Sequence, residues 1–167
     1  PVPSPSPTPS PTRYTHTSFE YDFGGWTTST FLRQTGSTPS SSTGPSGAYD
    51  GSYYVYAETS TPNNPGVEFS MERDFGDDVG SVSFQYHMYG GTMGTATLQG
   101  SDDGGSTYST LWSKSGNQGN AWYGADVSID SVGTQQLKFV YTSGSRPRVC
   151  ISSSSASARS HCPPFSH

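Results

Sequence analysis

Four histidines, His16, His87, His161 and His167, are the residues of this chain best suited to act as a general base. Nucleophilic catalysis would need one of them beside a nucleophile and oriented by a third group. Three of them lie near the chain ends, and His87 lies in the middle of a predicted strand, on its polar face. The sequence contains no Gly-x-Ser-x-Gly motif. The pattern therefore does not favour a hydrolase.

Two pairs of carboxylates, Asp77-Asp78 and Asp102-Asp103, are the other candidates for acid–base chemistry. A glycosidase needs two carboxyl groups that face each other across the bond to be cleaved. Adjacent residues of an extended chain point in opposite directions, so neither pair predicts a facing dyad. Both pairs are interpreted as turn residues, and the sequence as a whole predicts that this chain is not an enzyme.

Tyrosine is the remaining residue type that could carry a function. A tyrosine-lined surface can stack on sugar rings or anchor a protein partner. Strand alternation predicts that about half of the candidates are buried in the core. The candidates are Tyr53, Tyr54, Tyr56, Tyr86, Tyr89, Tyr108 and Tyr123.

Composition limits the possible partners. The 167 residues carry a net charge of −5, and Lys114 and Lys138 are the only lysines. With no basic stripe, nucleic acid is not an expected partner. No apolar run approaches the roughly 18 residues that span a bilayer, so direct membrane insertion of this fragment is not expected.

The elements that must position these residues are strands. Val82, Phe84, Tyr86 and Met88 alternate with polar residues, which is the pattern of a half-buried strand. Similar segments separated by Gly-rich turns follow along the chain, and no helical period is found. Only 29% of the residues are apolar, but 11 Tyr, 8 Phe and 3 Trp can build a core from few side chains. The sequence predicts an all-β sandwich or jelly roll.

The domain organisation follows from the same patterns. Residues 1–17 begin with alternating Pro and Ser or Thr, which predicts an extended spacer suited to O-glycosylation. Residues 18–151 form the predicted domain. Residues 152–167 have little strand character and are predicted to be an irregular or disordered tail. Because the chain starts inside the Pro/Ser tract, it is interpreted as a fragment of a longer protein.

Five blocks, in this order, resemble the MAM domain, the extracellular module named after meprin, the A5 antigen and receptor protein tyrosine phosphatase mu. The resemblance covers about Ser18 to Ile151. It implies a jelly-roll β-sandwich of two antiparallel sheets in a membrane-associated parent protein, with a role in adhesion or protein interaction and no catalysis of its own. The blocks are Phe19-Glu20 with Gly25-Trp26; Thr38-Pro39-Ser40 with Thr43-Gly44-Pro45-Ser46; Tyr54-Val55-Tyr56-Ala57-Glu58; Phe84-Gln85-Tyr86-His87-Met88-Tyr89-Gly90; and Leu111-Trp112-Ser113 with Ser115-Gly116-Asn117-Gln118-Gly119 and Trp122.

The chain departs from the family pattern at its cysteines. Thr17 and Gly24 stand where relatives usually carry a cysteine pair, and Ser81 stands where they carry a further cysteine. Stability is therefore expected to depend more on packing than on disulfides. Cys150 and Cys162 either pair with each other in an oxidising compartment or stay reduced.

The resemblance also points to a cation site. Modules of this kind often tie the N-terminal strand to a neighbouring turn through a hard cation. Glu20 and Asp50 are the predicted ligands of one structural Ca²⁺ or Na⁺, with backbone oxygens completing the shell. After the last strand, where the family pattern has acidic residues, this chain has Arg148, Ser152 and Ser153. The missing carboxylates would weaken the cation site.

Two functions are compatible with this sequence. The first is a non-catalytic adhesion or protein-interaction module on a Pro-rich stalk, either secreted or part of a cell-surface ectodomain. The alternative is a carbohydrate-binding module appended to an extracellular enzyme. Both predict the same sandwich, and the partner is either a protein or a glycan.

Overall fold

Eleven β-strands make up the regular structure of the described chain. The computed structural model describes residues 13–60, 65–144 and 149–158, and within these ranges it contains no helix and hence none that could cross a membrane. The strands are β1 Tyr14–Thr17, β2 Thr27–Thr28, β3 Phe31–Thr35, β4 Tyr53–Ala57, β5 Glu68–Asp74, β6 Val79–Met88, β7 Thr95–Ser101, β8 Ser109–Ser115, β9 Tyr123–Ser128, β10 Gln136–Thr142 and β11 Val149–Ala158.

The strands form two antiparallel sheets packed face to face. The six-stranded sheet has the order β3-β4-β11-β6-β9, and β1 also pairs with β11. The five-stranded sheet has the order β2-β5-β10-β7-β8. Several neighbouring strands are far apart in sequence, such as β11 beside β4 and β10 beside β5, which is typical of a jelly roll. The predicted all-β sandwich of two antiparallel sheets is confirmed.

The core lies between the sheets and is largely aromatic. The ring of Phe84 in β6 meets that of Phe139 in β10 edge to face, at a centroid distance of 4.8 Å, and that of Trp112 in β8 at 5.0 Å. The ring of Trp26, which lies directly before β2, also packs on the ring of Phe139. Such ring pairs contribute about 0.5–1.5 kcal/mol beyond the area that they bury. This explains how a chain with few apolar residues builds a core.

The predicted alternation is confirmed in the central strands. Val82, Phe84, Tyr86 and Met88 are buried, as are Phe69 and Met71 of β5. Val67, which alternates with Phe69 and Met71 in the sequence, lies before β5 and is 36% exposed. The strand begins one residue later than the alternation suggested, so Val67 lies outside the sheet.

The predicted domain limits are wrong at both ends. Residues 14–17, assigned to the linker, form β1, and residues 152–158, assigned to the tail, belong to β11. β11 pairs with β6 along one edge and with β4 and β1 along the other, so it lies in the middle of its sheet. The Ser/Thr-rich segment 27–43 has no clear alternation in the sequence, yet it contains β2 and β3. The rest of the predicted linker and tail lies outside the described residues.

Candidate functional site

The Glu20 carboxylate lies on the turn that carries Asp50. Its Oε1 accepts hydrogen bonds from the backbone N–H groups of Ser52 and Tyr53, both at 2.9 Å. These bonds lower the pKa of Glu20, with the Tyr53 bond contributing most, the Ser52 bond next and the charge of Arg33 adding to both. Gly51 permits this approach, since a Cβ there would lie 2.5 Å from Glu20 Oε1. The structure therefore brings the Glu20 carboxylate to the turn that carries Asp50.

A guanidinium group lies beside this turn. Arg33 on the edge strand β3 donates hydrogen bonds to the backbone oxygens of Phe19 and Glu20, and its guanidinium stacks 3.6 Å above the ring of Tyr53. Two backbone oxygens at the base of the turn are thus used by a cationic side chain. Arginine suits this role because its planar fork can both donate and stack.

The residues at this turn fit a metal ion only in part. Calcium takes about six to eight oxygen ligands. Within the described ranges, no group of three or more His, Cys, Asp or Glu side chains could hold a metal ion. The acidic ligands on offer are Glu20, whose Oε1 is occupied by N–H donors, and the exposed Asp50. Cation binding at Glu20 and Asp50 stays a prediction.

His87 has a structural setting. It was expected on a polar face, but it is fully buried, since the segment 36–48 covers the outer face of the six-stranded sheet. Its Nε2 lies 3.1 Å from Asn120 Oδ1, and within the described part of the chain no hydrogen bond reaches its Nδ1. Burial lowers the pKa of His87, although the Asn120 bond partly opposes this. The imidazole links β6 to the loop before β9.

The two aspartate pairs separate as the extended-chain argument predicts. Asp77 is exposed and pairs with Arg13 at 3.3 Å, whereas Asp78 is buried. Asp103 closes its own turn through bonds from Thr107 Oγ1 and N and from Ser101 Oγ, which lower its pKa to about 2. Neither pair forms a facing dyad.

The tyrosines divide between the core and the surface. Tyr86 is buried between the sheets, whereas Tyr54 and Tyr56 are buried on the outer face with Cys150 and Trp122. The most exposed large rings were absent from the candidates: Tyr21 is 93% exposed, and Tyr14 and Tyr49 follow. Tyr14 lies in the short strand β1, Tyr21 between β1 and β2, and Tyr49 between β3 and β4, so none of them belongs to an alternating segment.

A polar cleft of about 500 Å³ opens at one end of the six-stranded sheet. It is lined by residues 37–46, by Tyr89 and by Asn120. The loop is held at both ends, because Tyr54 Oη donates to the Gly36 carbonyl at 2.9 Å and Trp122 Nε1 to the Gly47 carbonyl at 3.1 Å. Sequence patterns could not reveal this cleft, since it depends on how the loop folds back over the sheet.

Solved structures with the same fold include two binding domains. The cleaved adhesin domain of Lys-gingipain superposes with a TM-score of 0.69 at 13% identity, covering 86% of this chain and 99% of that one. A mutant family 29 carbohydrate binding module complexed with mannohexaose superposes with a TM-score of 0.55 at 14% identity, covering 89% of this chain and 93% of that one. At these identities the likeness extends to the fold alone.

Sequence comparison identifies the family. The MAM domain-containing glycosylphosphatidylinositol anchor protein 2 of Mus musculus is 35% identical over 130 residues, which cover 68% of this chain but 14% of that protein. The chain thus spans a small part of the relatives it matches. The family model described as "MAM domain, meprin/A5/mu" matches residues 17–162, which include every described strand except the first three residues of β1. The chain belongs to the MAM domain family.

Proposed function

We propose that this domain is a non-catalytic interaction module of an extracellular, membrane-associated protein and that its partner is another protein. The observation that carries the proposal is the family match over residues 17–162. The similar relatives are named for a glycosylphosphatidylinositol anchor, which attaches a protein to a membrane without a spanning helix.

The surface supports a protein partner. Tyr14, Tyr21 and Tyr49 present large exposed rings on a frame of antiparallel strands. Tyrosine is enriched among the residues that dominate binding energy at protein interfaces, because its ring buries much area with few rotatable bonds. These three rings are the proposed anchors.

A cell-binding assay tests this function. Fluorescent beads coated with the domain are expected to bind intact cells and to lose that binding when cell-surface proteins are removed with protease. Tyr21→Ser and Tyr49→Ser should weaken the binding with unchanged melting temperatures. The matched control is Val132→Ser, which removes an exposed apolar side chain far from these rings in sequence. Cell binding that survives the protease treatment would overturn the proposal. So would a failure of the beads to bind any cell type or one another.

A glycan partner is the second candidate. It is supported by the fold shared with a carbohydrate binding module complexed with mannohexaose and by the hydroxyl-rich lining of the cleft. An array of neutral and acidic glycans separates the two candidates. Selective binding to one saccharide class, insensitive to Tyr21→Ser, would favour the glycan.

We also propose one structural cation, Ca²⁺ or Na⁺, at Glu20 and Asp50. The proposal is supported by the position of the Glu20 carboxylate over the Asp50 turn. Glu20 Oε2 has no hydrogen-bond partner among the described residues and could serve as a ligand. Backbone oxygens and water would have to complete the shell.

A further inference from the structure

The cleft beside Tyr89 has a fixed shape. At its floor, Thr43 Oγ1 and Gly44 N both donate to the Tyr89 carbonyl, at 2.8 and 3.3 Å. Across the loop, Thr38 Oγ1 donates to the Thr43 carbonyl at 2.8 Å. Pro39 and Pro45 restrict the backbone further. The loop is therefore tied to the residue that follows β6 and to itself.

Gly44 shows how tightly the loop is wound. Its φ is +68°, and a Cβ at this position would lie 2.5 Å from Thr38 Oγ1. Only glycine can occupy this place without displacing the Thr38 side chain. The cleft is thus a product of a specific loop conformation.

The lining is polar and uncharged. Seven of the ten residues from 37 to 46 are Ser or Thr, and Asn120 adds an amide. Hydroxyl groups both donate and accept hydrogen bonds. No Asp, Glu, Lys, Arg or His lines the cleft. An anionic or cationic ligand would find no counter-charge there, and an apolar ligand would leave the hydroxyls unpaired.

Asn120 is positioned from behind by a buried group. Its Oδ1 is bonded to His87 Nε2, and its Nδ2 has no hydrogen-bond partner in the described chain. Because Oδ1 can only accept, His87 donates from Nε2. The lowered pKa of His87 keeps the imidazole neutral, so no charge stands behind the cleft. Two donor hydrogens of the amide thus stay available for a ligand.

Tyr89 supplies an aromatic wall. It is half-buried, and its ring stands edge-on to that of His87 at 6.4 Å. Trp122 packs against the other side of His87 at 5.4 Å. The contact with His87 positions the ring of Tyr89 and leaves that ring half-exposed. An aromatic wall among hydroxyls and an amide matches a sugar ring, which has an apolar face and a polar rim.

We propose that the cleft formed by residues 37–46, Tyr89 and Asn120 binds a neutral saccharide, with the sugar stacked on Tyr89 and its hydroxyls bonded to the loop and to Asn120. The cleft is shallow and open, and its volume of about 500 Å³ leaves room for a short oligosaccharide lying along the surface. The inference deepens the glycan alternative of the proposed function and does not depend on the exposed rings of Tyr14, Tyr21 and Tyr49.

Titration of the ¹⁵N-labelled domain with single oligosaccharides tests this site. The probes are mannohexaose, cellohexaose, chitohexaose and a galactose-based hexasaccharide. We expect at least one of them to shift the amide resonances of residues 37–46, Tyr89 and Asn120 in a saturable manner. Tyr89→Ala should weaken that binding more than tenfold.

Two further variants keep the test decisive. Ser41→Trp places a large ring in the cleft at an exposed position, and it should abolish binding with an unchanged melting temperature. Tyr21→Ser is the matched control and should leave saccharide affinity unchanged while it weakens cell binding. Should none of the four probes shift the cleft amides at millimolar concentration, or should the shifts survive both Tyr89→Ala and Ser41→Trp, the site is refuted. Cell binding through protein would be unaffected by that result.

Discussion

Thr17 Oγ1 donates to the carbonyl oxygen of Gly24 across 3.5 Å, and both groups are bonded to one guanidinium. Nη1 of Arg73 in β5 lies 3.1 Å from Thr17 Oγ1 and 2.6 Å from the Gly24 oxygen. These are the two positions at which the resemblance to the MAM domain implies a cysteine pair. The contact confirms that the two positions are neighbours in this fold, and it shows what joins them here. Arg73 ties the two segments to β5, where a disulfide would tie them only to each other.

Restoring the cysteines should therefore produce a disulfide. A Cβ at Gly24 would lie 3.1 Å from Thr17 Cβ, so the two segments need to move apart by only a few tenths of an ångström to reach the roughly 3.5–4.5 Å of a disulfide. Closing an eight-residue loop stabilises by about 2.5 kcal/mol in the chain-entropy relation. The left-handed conformation at Gly24, φ +60°, would cost a cysteine roughly 1–2 kcal/mol. Because the Thr17 contact with Arg73 is lost in both redox forms, we expect oxidised Thr17→Cys/Gly24→Cys to melt about 5–10 °C above the reduced form of the same variant.

Melts with and without a reductant check this expectation. The reduced variant should melt below wild type, since the Thr17 contact with Arg73 is lost and the strain at residue 24 remains. An oxidised form that is no more stable than the reduced form would contradict the argument.

Arg73→Ala should destabilise the domain. A hydrogen bond to a charged donor contributes about 1.5–3 kcal/mol, and Arg73 makes two, in addition to its stacking over Phe75 at 4.7 Å. Because Arg73 is partly solvated, we expect a loss of about 2 kcal/mol in chemical denaturation. Glu72→Ala, on the exposed face of the same strand, is the control and should change stability much less. An equal loss of unfolding free energy in both variants would show that the bonds of Arg73 to Thr17 and Gly24 do not stabilise the fold.

The central strands could be predicted because their side chains alternate. The alternation of Phe84 and Tyr86 with polar residues is enough to predict β6. β11 could not be predicted in the same way, because Ser152 to Ala158 offer only small side chains and no apolar period. Its conformation comes from backbone pairing on both edges, which sequence propensity does not record. Glu20 reaches the turn of Asp50, but cation binding there stays a prediction, and the guanidinium of Arg33 beside the turn was not foreseen.

Alternation also does not say which face of a sheet is covered. His87 lies on the face opposite to Phe84 and was therefore expected on the polar face of the strand, but it is buried. The covering segment 36–48 gives no signal of where it will fold. The same limitation hid the cleft, whose walls come from a loop, the end of β6 and the segment before β9.

Acidification should weaken the fold through His87. Burial lowers its pKa in the folded state, whereas the unfolded chain has the ordinary value of about 6.5. Between these two values the unfolded state binds more protons, so the free energy of unfolding falls as the pH drops below about 6.5. The titratable neighbours of His87 are Cys150, opposite it on β11, and Tyr89.

Thermal melts between about pH 7.5 and pH 5 measure this effect. His87→Gln removes the titrating group, so its melting temperature should depend less on pH over that range than the wild-type value does. His16→Gln is the matched control, since His16 is exposed on β1, and it should keep the wild-type slope. A slope that is unchanged in His87→Gln would assign the acid sensitivity to other groups.

The cation proposal leads to the last prediction. Extracellular modules bind calcium with dissociation constants near 10⁻⁴–10⁻³ M, so about 10 mM calcium over a 1 mM site should stabilise by about 1.4 kcal/mol. Glu20→Gln keeps an acceptor for the Ser52 and Tyr53 N–H groups but removes the charge, so it should abolish the calcium-induced rise in melting temperature. Arg33→Gln removes the competing positive charge and should enlarge the calcium-induced rise in melting temperature.

A parallel series replaces calcium with sodium. Melting temperatures that respond to neither ion, in wild type and in Arg33→Gln alike, would exclude the site. The Arg33 guanidinium would then be the cation that ties the N-terminal segment to this turn.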